Sequence, residues 1–217
     1  MKLKLLNKLR KKIHKDIGLI QDMLMSVIYE VFPKAVLHGG TAIWRCYNGT
    51  RFSEDIDVYL DKEETKKINA FKEKILKNKM EINKFKKTKN TIYSKISFKG
   101  IEVRFEASLT NTKNKEIIIK PYETIEGNYL NVFTLTAEEL IKEKAEAYLS
   151  RHLIRDLYDI YILTNHVENK NKIKPVIKKL INNYKKPKDE SILETLVFIG
   201  AVPTSKQIIN NLEKWAK

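Results

Sequence analysis

Apolar residues recur at steps of three and four along residues 3–32, which is the spacing of one face of an α-helix. Pro33 ends this pattern, because proline lacks a backbone donor and clashes with the preceding turn. A short apolar run, Val36 and Leu37, follows and stops at the glycine pair Gly39-Gly40. The pattern predicts a long first helix, a short strand and a second helix that begins after the glycines.

The next elements predicted are the rest of that second helix, a half-buried strand and a third helix. Thr41 is a suitable N-cap for a helix that extends to about Tyr47. Between Asp55 and Leu60 apolar and polar residues alternate, which predicts a strand with one apolar and one polar face. The Lys- and Glu-rich stretch 62–80 predicts an exposed helix.

Alternation returns in the middle of the chain. It predicts strands over 91–98 and 101–109, joined by a hairpin turn at Lys99-Gly100, and a third strand over 116–119.

The period changes again near Thr136. Together with Glu139 this residue resembles a capping box, and helical spacing continues from there to the end of the chain. The patterns therefore predict the fold class α+β, with an α+β region over 1–130 and a helical region over 131–217.

Composition indicates a globular protein, and the net charge leaves two interpretations open. Of the 217 residues, 42% are hydrophobic and 32% are charged, and the formal net charge is +15. Such a charge indicates either a polyanionic partner or a solvated surface that follows from a Lys-, Ile- and Asn-rich composition. No apolar run has the length of a membrane span, and the basic N-terminus is not followed by a signal-peptide pattern. The single cysteine, Cys46, fits a reducing, cytoplasmic setting.

Two aspartates carry the first candidate chemistry. Asp55 and Asp57 are two residues apart on a predicted strand, so their side chains share one face. Because like charges raise each other's pKa, such a pair is best neutralised by a hard cation, Mg²⁺ or Mn²⁺. The alternative is that the two aspartates are simply the exposed side of an edge strand.

The glycine pair upstream favours the first interpretation. At a strand-to-helix junction, Gly39-Gly40 frees backbone N–H groups to face a phosphate, assisted by the helix N-terminus. Thr41 adds a hydroxyl at the point where a triphosphate would bend. The spacing is neither a Walker pattern nor a Rossmann fingerprint. Glycines and aspartates together suggest an enzyme that handles a nucleoside triphosphate.

In these segments the sequence resembles the nucleotidyltransferase superfamily of the DNA polymerase β type, and within it the AbiEii/AbiGii toxin family. The matching segments are Gly39-Gly40-Thr41-Ala42 and Arg51-Phe52-Ser53-Glu54-Asp55-Ile56-Asp57, and the resemblance covers about 36–165. It implies a nucleotidyltransferase domain with a small mixed sheet flanked by helices, followed by a helical domain that contributes to the active site. It also implies the toxin of a type IV toxin–antitoxin or abortive-infection system, which in some relatives modifies the 3′ end of tRNA.

The superfamily requires a third carboxylate on a neighbouring strand, and Glu106 matches that position. Arg104 and Glu106 share one face of the predicted strand 101–109, together with Glu102, which lies further from the family motif. A solvated strand residue is the alternative for Glu106. Arg104 is either a phosphate contact or a member of an ordinary ion pair.

The helical region contains a second family signature, around Glu143-Lys144-Ala145 and Arg155-Asp156. By resemblance, Lys144 contacts the triphosphate, and either Asp156 or Asp159 completes the site. On one unbroken helix Lys144, Arg155 and Asp159 would form a polar stripe, whereas a break near His152 would change which side chains converge. The alternative is a helix face that carries ordinary ion pairs.

The resemblance and the residues together predict a metal-dependent transfer of a nucleoside monophosphate from an NTP to a hydroxyl. The expected metal ligands are Asp55, Asp57 and Glu106, and these three with Lys144 and Asp156 are the expected catalytic set. The expected nucleotide contacts are Gly39, Gly40, Thr41, Arg51, Ser53, Lys144 and Arg155. For Ser53 a simple turn hydroxyl is the alternative, and Arg51 has the charge to stabilise pyrophosphate.

The expected partners are the NTP, Mg²⁺ or Mn²⁺, an RNA or tRNA acceptor and a cognate antitoxin protein, with no membrane. A small molecule or a protein is the alternative acceptor. A nucleic-acid-binding relative without catalysis is the alternative function.

Overall fold

The computed structural model describes residues 3–217, so the first two residues of the predicted 1–130 region lie outside the described part. Its helices are α1 (Leu5–Lys8), α2 (Lys12–Val31), α3 (Gly39–Cys46), α4 (Ile68–Lys77), α5 (Ala137–Arg151), α6 (Ile154–Leu163), α7 (Lys170–Asn182), α8 (Ile192–Leu196) and α9 (Ser205–Ala216). Its strands are β1 (Val36–His38), β2 (Ile56–Leu60), β3 (Glu81–Lys87), β4 (Thr91–Phe98), β5 (Ile101–Leu109), β6 (Ile117–Glu123) and β7 (Tyr129–Leu135). Short 3₁₀ helices lie at Lys62–Lys67 and Thr164–His166.

All seven strands belong to one mixed sheet, in the order β3-β4-β5-β2-β1-β7-β6. β2 runs parallel to β5, and β1 runs parallel to β7, while the other neighbours are antiparallel. Helices α2, α3 and α4 pack together with the sheet, and α5, α6, α7 and α9 pack on one another. This confirms the α+β class with a mixed sheet flanked by helices.

The period-2 pattern of the central strands decides which side chains face the helices. Ile56, Val58 and Leu60 of β2 are buried, as are the apolar residues of β5 that alternate with its charged ones. The opposite face of these two strands carries Asp57 and Glu106. Alternation therefore places the acidic side chains on the less covered face of the sheet.

Several boundaries differ from the sequence predictions in the first third of the chain. The single helix predicted over 3–32 is two helices, separated at residues 9–11, where Leu9 is buried. α3 begins at Gly39 with His38 as its N-cap, so Thr41 lies inside the helix and does not cap it. In the stretch 62–80 a 3₁₀ helix continues into α4, which ends at Lys77 and buries Ile68, Phe71 and Ile75.

Two strands were not predicted, and one lies across the predicted boundary. β3 is an edge strand that is exposed along most of its length and contains an irregularity between Ile82 and Lys84, so it lacks clear alternation. β7 covers 129–135, and the helical part of the chain therefore begins at Ala137 rather than at 131. The predicted hairpin at Lys99-Gly100 is confirmed.

The helical part begins and breaks at identifiable residues. The Thr136 hydroxyl accepts a hydrogen bond from the Glu139 backbone N–H, which confirms Thr136 as the N-cap. The predicted capping box is not complete, because the Thr136 N–H donates to the Glu116 carbonyl and the Glu139 carboxylate accepts from Lys142. His152 has a left-handed backbone conformation with φ of 54° and ends α5, and α6 starts two residues later. The chain therefore does not form one unbroken helix here. Within residues 3–217, no helix combines the length and the apolar character needed to cross a membrane.

Candidate active site

A cleft of about 300 Å³ lies where the start of α3, the start of β2 and the helices α5 and α6 meet. The cleft is lined by the glycine pair, by both aspartates of the motif and by several cations. The lining residues are His38, Gly39, Gly40, Arg51, Ser53, Asp55, Asp57, Glu143, Lys144, Ala147, Arg151 and Arg155. A larger groove of about 1360 Å³ contains Tyr59 and Lys115 but none of the predicted site residues. The smaller cleft is therefore the candidate active site, because the chemistry converges there.

Only glycine fits at positions 39 and 40, because other side chains lie very close to the backbone there. Gly39 has φ of +70°, and a Cβ on it would lie 2.6 Å from Asp57 Oδ2. A Cβ on Gly40 would collide with the Ser53 hydroxyl and lie 2.8 Å from Arg51 Nη2. Any larger residue would thus push against the aspartate and the arginine that line the cleft.

Asp57 and Glu106 are direct neighbours across the parallel pair β2 and β5. Burial raises the pKa of Asp57, and the nearby charge of Asp55 raises it further, whereas His38, Lys144 and Arg104 oppose the rise. An acid that is costly to ionise gains most from a bound cation. A cation bound beside Asp57 would therefore favour its ionised form.

Asp55 lies just before β2 and is held by Arg104. The guanidinium donates from Nε and Nη2 to the two carboxylate oxygens at 2.7 Å and 2.6 Å. Glu106 is exposed and makes no hydrogen bond or ion pair with any other described residue. Within residues 3–217, no three His, Cys, Asp or Glu side chains stand together as a ready metal site.

The donor set nevertheless fits Mg²⁺ or Mn²⁺ in its chemistry. Asp55, Asp57 and Glu106 offer hard carboxylate oxygens from two adjacent strands, which these cations prefer. Glu106 has no hydrogen bond or ion pair to give up within residues 3–217, whereas Asp55 is held by Arg104.

Behind the cleft, a buried cluster fixes its cations. Asp159 accepts two hydrogen bonds of 2.6 Å from Arg51, and its Oδ2 lies 2.8 Å from Lys144 Nζ. Asp156 accepts two hydrogen bonds of 2.7 Å from Arg151 and lies 3.5 Å from Lys144 Nζ. Burial alone would raise the pKa of Asp159, but Arg51 and Lys144 outweigh it and lower that pKa.

Asp156 and Asp159 both lie behind the cleft. Both Asp156 and Asp159 are fully buried, and neither lines the cleft. Each instead holds cations that do line it. Arg155 also lines the cleft and makes no ion pair within the described chain, so its charge is available to a ligand.

Thr41 has a different place from the one expected. It is completely buried, and its hydroxyl donates to the Asp55 carbonyl. It therefore supports the backbone in front of Asp57 and does not line the cleft. Gly39, Gly40, Arg51, Ser53, Lys144 and Arg155, the other expected nucleotide contacts, all line it.

Glu143 is a lining residue whose role the sequence did not show. It accepts hydrogen bonds of 2.7 Å from the Tyr59 hydroxyl and from Lys115 Nζ, and it lies 3.4 Å from His38 Nδ1. His38 in turn stacks on Tyr59 with ring centroids 3.9 Å apart. Although burial acts to raise it, the pKa of Glu143 is lowered to about 2 by His38, Lys115 and Tyr59. Its presence in the second family signature was the only signal.

Two other contacts hold the loop in front of the aspartates. Gln21 Nε2 donates to the Ser53 carbonyl at 2.8 Å, and Gln21 Oε1 accepts from the buried Arg45 at 3.2 Å. Arg51 forms a β-bridge with Val197, so the C-terminal part of the chain also fixes this loop. In the sequence, Gln21 looks like any polar residue of a helix.

Comparison with solved structures shows this fold in distant proteins. JHP933 from Helicobacter pylori is 18% identical with a TM-score of 0.59, and the match covers 92% of this chain and 90% of that one. MenT4, a nucleotidyltransferase toxin from Mycobacterium tuberculosis, is 15% identical with a TM-score of 0.60, over 95% and 89%. The antibiotic-resistance factor ANT(2'')-Ia is 14% identical with a TM-score of 0.52, over 77% and 94%.

Comparison with curated proteins gives no match. The model of the family described as "Nucleotidyl transferase AbiEii toxin, Type IV TA system" matches residues 23–201, which contain the cleft and the cluster behind it. The chain therefore belongs to the AbiEii toxin family and is a nucleotidyltransferase of the type IV toxin–antitoxin kind.

Proposed function

We propose that this protein transfers a nucleoside monophosphate from an NTP to a hydroxyl group of RNA, in a reaction that depends on Mg²⁺ or Mn²⁺, and that a cognate antitoxin opposes it. The observation that carries the proposal is the convergence of the Gly39-Gly40 turn, two aspartates and the anchored cations Arg51 and Lys144 on one cleft. A glycine turn at a helix start and fixed cations bind phosphates, and paired carboxylates bind a divalent cation.

Asp55, Asp57 and Glu106 would hold the metal. When bound, such an ion polarises the α-phosphate and lowers the pKa of an attacking hydroxyl. The Gly39-Gly40 backbone, Lys144 and Arg51 bind the β- and γ-phosphates, whose charge increases as pyrophosphate leaves.

In the transfer, the acceptor oxygen forms a bond to the α-phosphorus and the bond from that phosphorus to the bridging oxygen breaks. Glu106 accepts the proton of the acceptor hydroxyl, because it is the exposed carboxylate of the three and has no other partner within residues 3–217. Pyrophosphate takes the bonding electron pair and departs.

Asp156 and Asp159 act through other residues. They hold Arg151, Arg51 and Lys144 in place before a ligand arrives, which avoids reorganisation during the reaction. Asp156, expected as a catalytic residue, is therefore proposed here as a positioning residue.

The test is transfer from an α-phosphate-labelled NTP with Mg²⁺ to RNA, an aminoglycoside and a protein acceptor in parallel. We expect labelled RNA, and at least about a 100-fold loss with Asp57→Asn, since this change removes charge but keeps shape. Glu146→Gln on α5 is the matched control, because Glu146 is exposed and has no ion pair among the described residues.

Unchanged labelling by Asp57→Asn would contradict the site. Label on the aminoglycoside or the protein alone would instead support the alternative acceptors, and tight RNA binding without any product would support the non-catalytic relative.

A further inference from the structure

The active-site acids are the beginning of two rows of side chains that cross the open face of the sheet. In one row, strand register aligns Asp57 with Glu106, Glu106 with Tyr93, and Tyr93 with Lys86. Residues directly opposite in register point to the same face of a sheet. The row therefore leads from the acids on β2 and β5 to a tyrosine on β4 and a lysine on the edge strand β3.

The second row runs alongside and consists mainly of cations. It starts at Asp55, which is held by Arg104, and register then aligns Arg104 with Lys95 and Lys95 with Lys84. The Lys84 ammonium lies 5.8 Å from the centre of the Tyr93 ring, which shows that both rows share one face. A depression of about 320 Å³ between them is lined by Asp55, Tyr93, Lys95 and Arg104, with Glu54 and Glu102.

Some of these charges are available to a ligand. Lys84 and Lys86 are exposed, and neither has a carboxylate partner within residues 3–217. Lys95 is paired with Glu102, and the side chain of Arg104 is 52% exposed while it holds Asp55. The apolar residues of β3 point the other way, as Phe85 lies under the Lys72 ammonium of α4.

We propose that this face, defined by Lys84, Lys86, Tyr93, Lys95 and Arg104, is the docking surface for the 3′-terminal single strand of the acceptor RNA. Lysines at the sheet edge and Arg104 bind successive phosphates, a base stacks on Tyr93, and the terminal hydroxyl reaches Glu106. This combination of a basic track and an aromatic platform is what single-stranded nucleic acids require. The proposal rests on the proposed function in so far as the bound strand is the acceptor.

The dimensions agree with a short strand end. Neighbouring strands of a sheet lie about 4.8 Å apart, so three steps from Asp57 to Lys86 span roughly 14 Å. The depression of about 320 Å³ on this face lies beside the 300 Å³ cleft that contains the glycine pair, and Asp55 lines both. The two sites are therefore adjacent. The rows continue across three strands, as an extended nucleic-acid strand could, whereas the cleft contains the glycine pair and the anchored cations.

The decisive measurement is RNA affinity without NTP and without metal. The probe is a short single-stranded RNA with a free 3′ hydroxyl, titrated at several salt concentrations. Lys84→Glu/Lys86→Glu is expected to weaken binding at least about tenfold and to reduce the salt slope by about 0.7 for each phosphate that the variant no longer binds. Lys206→Glu/Lys214→Glu on α9 is the matched control, because it makes the same charge change on exposed lysines elsewhere.

Stacking is tested separately. Tyr93→Ala is expected to weaken RNA binding about tenfold, and Tyr93→Phe to keep it, because stacking needs the ring and not the hydroxyl. With an active enzyme, both the lysine pair variant and Tyr93→Ala should raise the KM for RNA more than the KM for NTP. Melting curves confirm that each variant is folded.

The proposal is overturned if the charge reversals on β3 and on α9 weaken RNA binding equally, or if Tyr93→Ala binds like the wild type. This result is distinguishable from failure of the proposed function. If the surface variants lose RNA binding as expected but Asp57→Asn still transfers nucleotides normally, the docking surface stands and the catalytic assignment fails.

Discussion

At the scale of single residues, Glu143 shows how a carboxylate at the edge of the cleft is kept ionised. Burial opposes its charge, yet His38, Lys115 and the Tyr59 hydroxyl together lower its pKa to about 2. Its ordinary value is 4.5, so the folded state holds the ionised form more tightly than the unfolded chain does. This difference contributes stability above pH 4.5, and the contribution is lost as the pH falls towards 2.

Glu143→Gln should therefore lower the free energy of unfolding by roughly 1–3 kcal/mol at neutral pH, with a difference from the wild type that shrinks below pH 4.5. Urea unfolding at a series of pH values measures this. Glu146→Gln, an exposed neighbour on the same helix, should show no such dependence. A difference that stays constant on acidification would mean that the contacts of Glu143 act by shape and not by charge.

At the scale of elements, the hairpin between β4 and β5 positions Arg104 and Glu106. Its turn residues Lys99 and Gly100 both have positive φ, 51° and 79°. Two such residues in succession form the turn that matches the twist of the two strands. A Cβ on Gly100 would meet nothing within 4 Å, so any effect of adding one comes from the backbone alone.

Gly100→Ala should destabilise the protein by about 1 kcal/mol, since alanine resists a left-handed conformation. For a chain of this size that corresponds to about 2–4 °C in Tm. Lys99→Asn should leave Tm unchanged or raise it, because asparagine tolerates positive φ. Equal melting of Gly100→Ala and the wild type would show that the turn relaxes to another conformation.

Local sequence patterns predicted the strands in which apolar and polar residues alternate regularly. Alternation predicted β2, β4 and β5 and the polar faces that carry Asp57 and Glu106, whereas the family resemblance implied that these two strands are neighbours. It failed for β3, because the irregularity after Ile82 shifts the register and leaves lysines on an edge that needs little apolar surface. The break at His152 had no glycine or proline to mark it, and it lets α6 pack against α5.

The motifs predicted many of the residues that line the cleft, but not the contacts that hold them there. The motifs identified which residues lie near the cleft, because the family resemblance fixes positions along the chain. They could not show that Thr41 supports a backbone carbonyl, that Asp156 stands behind Arg151, or that Arg104 holds Asp55. Those relations depend on how distant elements pack, which no local pattern contains.

At the scale of the whole molecule, the cleft is formed by two parts of the chain that meet through buried charge. Arg51 precedes β2, whereas Lys144 and Asp159 lie on α5 and α6. The hydrogen bonds of Asp159 to Arg51 thus join the sheet to the helices, and the bridge from Arg51 to Val197 adds a backbone link. The helical part therefore contributes cations to the cleft and also stabilises the loop that leads to the aspartates.

Removing the charge at that junction should affect the whole molecule. Arg51 and Lys144 are both buried, and Asp159→Asn removes the negative charge that they share. Loss of one partner from a buried pair typically costs about 3–5 kcal/mol. Urea unfolding should show a loss of this size, and binding of a labelled NTP should weaken because both cations lose their fixed positions.

Asp156→Asn is the natural comparison. Its main partner, Arg151, has a side chain that is 43% exposed and can be solvated when the ion pair is removed, and Lys144 keeps its closer contact with Asp159. The loss of stability should therefore be clearly smaller than for Asp159→Asn. Equal losses, or a loss below about 1 kcal/mol for Asp159→Asn, would mean that water reaches this junction, since only a dry junction makes an unpaired charge so costly.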